Sequence, residues 1–138
     1  MGNMAFDIKT LATINLAIQI LLMIMLFFAS FAVRKGDVQK HCNIIRFAVL
    51  LQIAAILFVM LPSILGYITH QSTGNLFLEM LLHHTLGIVL IGLWIYINLV
   101  YVKIIRWPGN FISIMRSAFV LWTLVFIIGL HIYIRIYF

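Results

Sequence analysis

Charged residues are scarce in this sequence, and acidic residues are the scarcest. Only 9% of the 138 residues are charged, and the three acids are Asp7, Asp37 and Glu79. Because the three acids are far apart along the chain, a catalytic pair of carboxylates is nearly excluded. The glycine-rich phosphate loop and the GxSxG, HExxH and CxxC motifs are also missing. An electron carrier or accessory subunit therefore fits better than a stand-alone enzyme.

Cysteine occurs once, at Cys42, so the chain cannot form an internal disulfide. Proline occurs twice. Pro62 falls inside a long apolar run, where it should loosen the helical turn before it. Pro108 is followed by Gly109, and this pair predicts a turn.

Hydrophobic residues make up 65% of the chain, far more than a soluble domain of 138 residues could enclose. Four apolar runs cover about residues 11–33, 44–69, 78–102 and 112–134. Each run is long enough to cross a hydrocarbon core of about 30 Å as a helix. The short connections predict antiparallel neighbours. We therefore expect an all-α integral membrane protein in the lipid bilayer, with residues 1–138 forming one antiparallel four-helix bundle domain.

The nine cations are unevenly placed. Seven flank the first and third connections, and only Lys9 and Arg135 lie at the other side. Because positive residues favour the cytoplasmic side, both termini should lie outside the cytoplasm. The net charge of +6 then reflects topology and not nucleic-acid binding. The seven are Arg34, Lys35, Lys40, Arg46, Lys103, Arg106 and Arg116.

Four of the five histidines are predicted to lie in one leaflet, at similar depth. They are His70 at the end of the second run, His83 and His84 at the start of the third, and His131 near the outer end of the fourth. Imidazoles from facing helices at equal depth can hold a haem iron axially. His83 and His84 project about 100° apart on a helix, so only one of them can serve a given haem.

Glycines accompany these histidines on the same helical faces. Gly66 is four residues before His70, and Gly87 is four after His83 and three after His84. A residue without a side chain leaves room for a flat group against the backbone. The pattern favours haem b, ligated by His70 and by either His83 or His84.

Other residues at this depth keep alternatives open. His131 is the alternative axial ligand, and Glu79, four residues before His83, can either support that imidazole or lie hydrated at the helix start. Copper or zinc would need three or four ligands in a smaller polar cage. Copper is the alternative cofactor; its candidate ligands are Glu79, His70, His83, His84 and His131, and Met60 and Met80 lie at the same depth.

Amide side chains form a second polar pattern inside the apolar runs. They are Asn15, Gln19, Gln52 and Asn98. Such groups are costly in hydrocarbon unless they face the interior of the helix bundle, where they form interhelical hydrogen bonds. The functional alternative is contact with a quinone or with haem propionates.

Several segments resemble a family of small four-helix membrane proteins that act in the maturation of haem-copper cytochrome oxidase. They are the basic "RKGDVQKHCNIIR", "GYITH" at the end of the second run, "LLHHTLGIVLIGLWIYI" and "MRSAFVLWTLVFIIGLHIY". The family's motif residues correspond to His41, to Tyr67 and His70, to His83 or His84, and to Trp122 and Gly129. A further family histidine falls here on about Phe111, and His131 is extra. The chain is also similar to halves of haem A synthase and to small b-type cytochromes.

The resemblance and the histidines together predict a b-type-cytochrome-like electron carrier, within a respiratory complex of a prokaryotic cytoplasmic membrane. The expected protein partners are other membrane subunits or a cytochrome oxidase, and the expected small-molecule partner is a quinone. The second hypothesis is an oxidase maturation factor that holds copper or haem transiently. The third is a small structural subunit whose histidines face a neighbour.

Overall fold

The computed structural model describes residues 8–62, 65 and 76–138. These residues contain four long helices and no strand. The helices are α1 (Ile8–Arg34), α2 (Val38–Ala55), α3 (Phe77–Tyr101) and α4 (Phe111–Tyr137). With α2 continued to Met60, each is long and apolar enough to cross a membrane. The predicted all-α class with four membrane-length helices is confirmed.

The chain divides into two compact units. The first contains α1 and α2, and the second contains α3 with almost all of α4. Each unit is described by itself below. The packing of all four helices as one domain and the placement of both termini outside the cytoplasm stay predictions.

The α1–α2 connection is short because both helix ends are satisfied locally. Gly36, at φ 83°, ends α1 in a Schellman motif, in which the Asp37 N–H donates to the Ala32 carbonyl at 3.0 Å. Asp37 also caps α2, since its Oδ1 accepts from the Lys40 backbone N–H at 2.9 Å. This cap explains why α2 begins at Val38, well before the predicted residue 44.

Small residues hold α1 and α2 close together. The buried positions on each helix are four and three residues apart, so they form one face. They include Leu22, Leu26 and Ala29 on α1, and Ala48, Gln52 and Ala55 on α2. Ala29 and Ala48 are both fully buried. Small side chains at such positions let helix backbones approach each other in a membrane.

A π-helical turn, Ile56–Met60, follows α2 directly. The Leu61 N–H donates to the carbonyl of Ile56, five residues earlier. Pro62 follows, and because proline has no N–H it removes one bond from the regular α-helical ladder. The wider turn therefore lies where the sequence predicted loosened hydrogen bonding.

Aromatic rings hold α3 and α4 together. The rings of Trp94 and Trp122 lie with centroids 4.3 Å apart, and both residues are buried. Nearer the connection, Trp107 packs on the buried Phe111 at a centroid distance of 4.1 Å. Tilted aromatic pairs at such distances add to the packing of the apolar surface.

The C-terminus of α3 repeats the Schellman motif with an unusual residue. Lys103 occupies the left-handed position at φ 63°, and the Ile104 N–H donates to the Leu99 carbonyl at 3.0 Å. A side chain in this conformation costs about 1 kcal/mol relative to glycine. Lys103 does place a cation beside the negative end of the helix dipole.

Candidate functional site

The predicted site residues that the structure describes belong to the α3–α4 unit. Glu79, His83, His84 and Gly87 are on α3, and His131 is on α4. His70 and Gly66 lie outside the described residues, so their predicted roles as ligand and as clearance stay predictions.

His83 lies directly against the backbone of α4. A Cβ atom placed on Gly129 would come within 2.8 Å of Cε1 of the imidazole, so the ring occupies a slot that only glycine leaves open. The Nδ1 atom of His83 is buried and makes no hydrogen bond with any residue that the structure describes. The His83 ring is thus held by the shape of this slot and by a hydrogen bond with the backbone of Val125 on α4.

His84 is held by a hydrogen bond within its own helix. Its Nδ1 lies 2.6 Å from the Met80 carbonyl oxygen, and because a carbonyl only accepts, Nδ1 carries the proton. Of the two neutral tautomers, this bond selects the one that carries its lone pair on Nε2. The rings of His84 and His83 meet edge to face, with centroids 5.3 Å apart and an interplanar angle of 85°.

Glu79 connects α3 to α4 through charge. Its Oε1 accepts a hydrogen bond from Arg135 Nη1 at 3.2 Å, and its Oε2 lies 3.5 Å from His131 Nε2. His131 and Arg135 are four residues apart and share one face of α4. The side chains of His131, Arg135 and Glu79 are 58%, 47% and 32% exposed, so this is a partly hydrated cluster. These contacts of the carboxylate are with α4, and Glu79 as a support for the His83 imidazole stays a prediction.

Gly87 opens onto space in the structure. A Cβ atom at this position would meet no described side chain or backbone atom within 4 Å. Gly87 is three residues after His84, so it lies on nearly the same face one turn further along α3. This position suits the predicted clearance beside His84.

The amides of the other unit pair with one another. Gln19 Nε2 donates to Gln52 Oε1 at 2.8 Å across α1 and α2, and contacts Asn15 Oδ1 at 3.5 Å. Gln52 in turn contacts Met60 Sδ at 3.8 Å. The Gln19–Gln52 bond is the interhelical bonding that the sequence suggested for these amides.

His41 is also used within the α1–α2 unit. Its Nδ1 lies 2.9 Å from the Ala29 carbonyl, so the imidazole of α2 donates to the backbone of α1. On α3, Asn98 Nδ2 donates to the Trp94 carbonyl at 2.8 Å, within its own helix.

A copper or zinc site needs at least three ligand side chains close to one point. Across residues 8–62, 65 and 76–138, no three His, Cys, Asp or Glu side chains stand close enough together to hold one metal ion. Glu79 and His131 are a close pair, and His83 and His84 are neighbours. Which of them bind a cofactor stays a prediction.

Two residues of this site were not singled out by charge or spacing. Gly129 entered the sequence analysis only through the family resemblance, and Arg135 only as a cation. Arg135 could have been found from its spacing, because it follows His131 by one helical turn at the depth of Glu79. Gly129 could have been found from depth, because it is about as far from the α3–α4 connection as His83 is.

Comparisons of the chain with protein-family models, with curated proteins and with solved structures gave no match. The resemblance to oxidase-maturation proteins therefore depends on the quoted segments alone and stays a prediction. A proposal for the function therefore has to be argued from the arrangement of side chains on α3 and α4.

Proposed function

We propose that the chain is a haem-binding membrane protein of the b-type cytochrome kind, which transfers electrons within a respiratory complex. In this proposal His84 and not His83 would be the residue of α3 that holds the haem iron. His70, outside the described residues, is the predicted second ligand. The observation that supports the choice is the hydrogen bond from His84 Nδ1 to the Met80 carbonyl.

This hydrogen bond is the arrangement that ligating histidines use. A histidine that donates its second ring N–H to a carbonyl has its tautomer and orientation fixed, and its other nitrogen becomes more basic. His84 thereby presents Nε2 as an iron ligand. His83 is the poorer choice because its ring already fills the slot beside Gly129.

The remaining residues of α3 suit the same use. A bound haem supplies one-electron redox chemistry at its iron, and the protein supplies ligation, orientation and an apolar surrounding. Gly87 leaves the face beside His84 without a side chain. Ile88, four residues after His84, lies on the same face with an apolar, exposed side chain, which would keep water from a ring placed there.

Transient copper binding, as in an oxidase maturation factor, is the second candidate. The carboxylate of Glu79 and the imidazole of His131 favour it, because their atoms are only 3.5 Å apart. Arg135 works against it, since its guanidinium shares the same carboxylate and would repel a metal cation. We therefore rank haem first.

The proposal implies partners of particular kinds. A protein partner would be another membrane subunit or a cytochrome oxidase, and a quinone would be the small-molecule donor or acceptor. The setting proposed is a prokaryotic cytoplasmic membrane. The four membrane-length helices support the bilayer location, and the histidines support the redox role.

Absorption spectra test the proposal directly. Protein purified in detergent from cells supplied with a haem precursor should show a Soret band, and dithionite should produce an α-band at the b-type position. His84→Ala should abolish both bands. His41→Ala is the matched control and should keep them, because His41 is bonded to Ala29 in the other helix pair.

Two results would contradict the proposal. One is a folded wild-type protein without haem, and the other is a His84→Ala protein that still binds one haem per chain. Metal analysis of the same samples would find copper if the second candidate holds.

A further inference from the structure

We propose that His83 is a positioning residue. Gly129 of α4 sets the position of the His83 ring, and the His83 ring in turn fixes the orientation of the His84 ring on α3. This inference rests on the proposed function, because it concerns the ligand that binds the haem. It assigns a role to two residues that need not touch the haem at all.

The first step is the contact between Gly129 and His83. Cε1, Nδ1 and Nε2 of the imidazole lie 2.8, 3.4 and 3.6 Å from the position that a Cβ atom of residue 129 would take. Contacts below about 3 Å between carbon atoms are repulsive, so even alanine would push the ring away. The glycine therefore sets where the His83 ring lies.

The second step is that the other hydrogen-bonding contact recorded for His83 also comes from α4. Its buried Nδ1 has no hydrogen-bond partner among the described residues, but the ring makes a hydrogen bond with the backbone of Val125. The slot beside Gly129 and the Val125 backbone, both on α4, together direct the ring. Moving the slot should therefore move the ring.

The third step carries the effect to His84. The two imidazoles meet edge to face at 5.3 Å, within the range of favourable aromatic pairs. The Met80 carbonyl holds Nδ1 of His84, and the His83 ring limits rotation of the plane about that bond. Gly129, His83 and His84 thus form a chain of contacts from α4 to the proposed iron ligand.

The expected consequence is a change in ligation without loss of the ligand. Altering a group that orients a metal-ligating histidine typically weakens metal binding by about 10- to 100-fold. Gly129→Ala should therefore weaken haem binding by about 10-fold and alter the low-spin electron paramagnetic resonance spectrum of the oxidised haem.

The experiment compares three variants. Gly129→Ala introduces the contact, and Gly92→Ala is the matched control, because a Cβ at Gly92 of α3 meets nothing within 4 Å. Alanine is the better helix former at both positions, so both helices should be retained. His83→Ala removes the ring altogether and tests the same chain of contacts without adding an atom to α4.

Haem titration and electron paramagnetic resonance of the oxidised protein are the measurements. We expect weaker binding and a changed spectrum for Gly129→Ala and for His83→Ala, and wild-type behaviour for Gly92→Ala. Unchanged affinity and spectrum in His83→Ala would overturn the inference. So would a Gly92→Ala protein with the same defect as Gly129→Ala.

A measurement on haem-free protein separates this inference from the proposed function. In protein with ¹⁵N-labelled histidine, nuclear magnetic resonance should show one ordered Nδ1-protonated ring for His84 in the wild type. The same signal should be broadened in Gly129→Ala. If the wild type binds no haem but the signal responds in this way, the proposed function fails while the positioning contact stands. If haem binds and the ring signal does not respond, only the positioning role is wrong.

Discussion

Polar side chains between α1 and α2 form hydrogen bonds across the helix pair, amide to amide at Gln52 and imidazole to carbonyl at His41. The imidazoles and charged groups of α3 and α4 include buried atoms without such a bond among the described residues. Gln52 is almost completely buried, and its Oε1 accepts from Gln19. In the other pair, Glu79 Oε2 and His83 Nδ1 are buried atoms without a described hydrogen-bond partner.

This difference distinguishes polar groups that stabilise helix packing from polar groups that are available to a ligand. A buried polar group that is fully paired fixes helix register and offers nothing to a ligand. A buried polar group that lacks a partner costs free energy, and such groups are characteristic of functional sites. The comparison therefore favours a structural role for the polar groups of the first helix pair and supports the site proposed in the second.

The largest effect is expected from removing the aromatic contact of α3 and α4. Trp122 is 3% exposed and packs at a tilt against Trp94, so Trp122→Ala should lower the free energy of unfolding by about 3 kcal/mol. Titration with dodecyl sulfate in mixed micelles, followed by circular dichroism, measures this. Trp107→Ala is the control, because Trp107 is 63% exposed. Equal losses for the two variants would show that the Trp94–Trp122 contact is not what holds the pair.

The second test breaks the amide bond between α1 and α2. Gln52→Leu leaves Gln19 without its partner on the other helix, and we expect a loss of about 1 kcal/mol. The double variant Gln19→Leu with Gln52→Leu should recover most of that stability, because both amides of the interhelical bond are then replaced by apolar groups. The same micelle titration gives the coupling energy. If the free energy of unfolding of the double variant falls by the sum of the two single-variant losses, the two amides are not coupled and the pairing is contradicted.

The third test uses the motif that ends both α1 and α3. Gly36→Ala should destabilise the protein by about 1 kcal/mol, because φ 83° is strained for any residue with a side chain. Lys103→Gly should stabilise it by up to about 1 kcal/mol for the same reason. Thermal unfolding in detergent would measure both. Two shifts of the same sign would show that backbone strain does not control these helix ends.

The smallest effect is expected at the charged cluster. Arg135 and Glu79 are partly exposed, so Glu79→Gln should cost only about 0.5 kcal/mol, and the difference from wild type should shrink as salt is raised. Unfolding measured at low and high ionic strength checks this. A large loss that salt leaves unchanged would mean that the carboxylate is more deeply buried than its contacts indicate.

The sequence was sufficient for the helices and only partly sufficient for the site. Hydropathy located all four helices, and the third run, 78–102, differs by one residue at each end from Phe77–Tyr101. The start of α2 was missed because the residues after Asp37 are polar, and the capping carboxylate was not considered. Spacing also placed Glu79 and His83 on one face of α3.

Spacing could not show what that face meets. Helical periodicity fixes the direction and depth of a side chain within its own helix, but not the rotation of that helix against its neighbour. The contacts of His83 with Gly129 and of Glu79 with Arg135 depend on that rotation. Spacing and depth could therefore point to Gly129 and Arg135 as candidates, but they could not show which side chains these residues contact.

The touching indoles of Trp94 and Trp122 have an optical consequence. Two of the three tryptophans in the chain lie with ring centroids 4.3 Å apart, close enough for their electronic transitions to couple. Such coupling gives a paired positive and negative ultraviolet dichroism signal that vanishes when the rings separate. This signal therefore reports directly whether α3 and α4 are packed together, without an added label or a bound pigment.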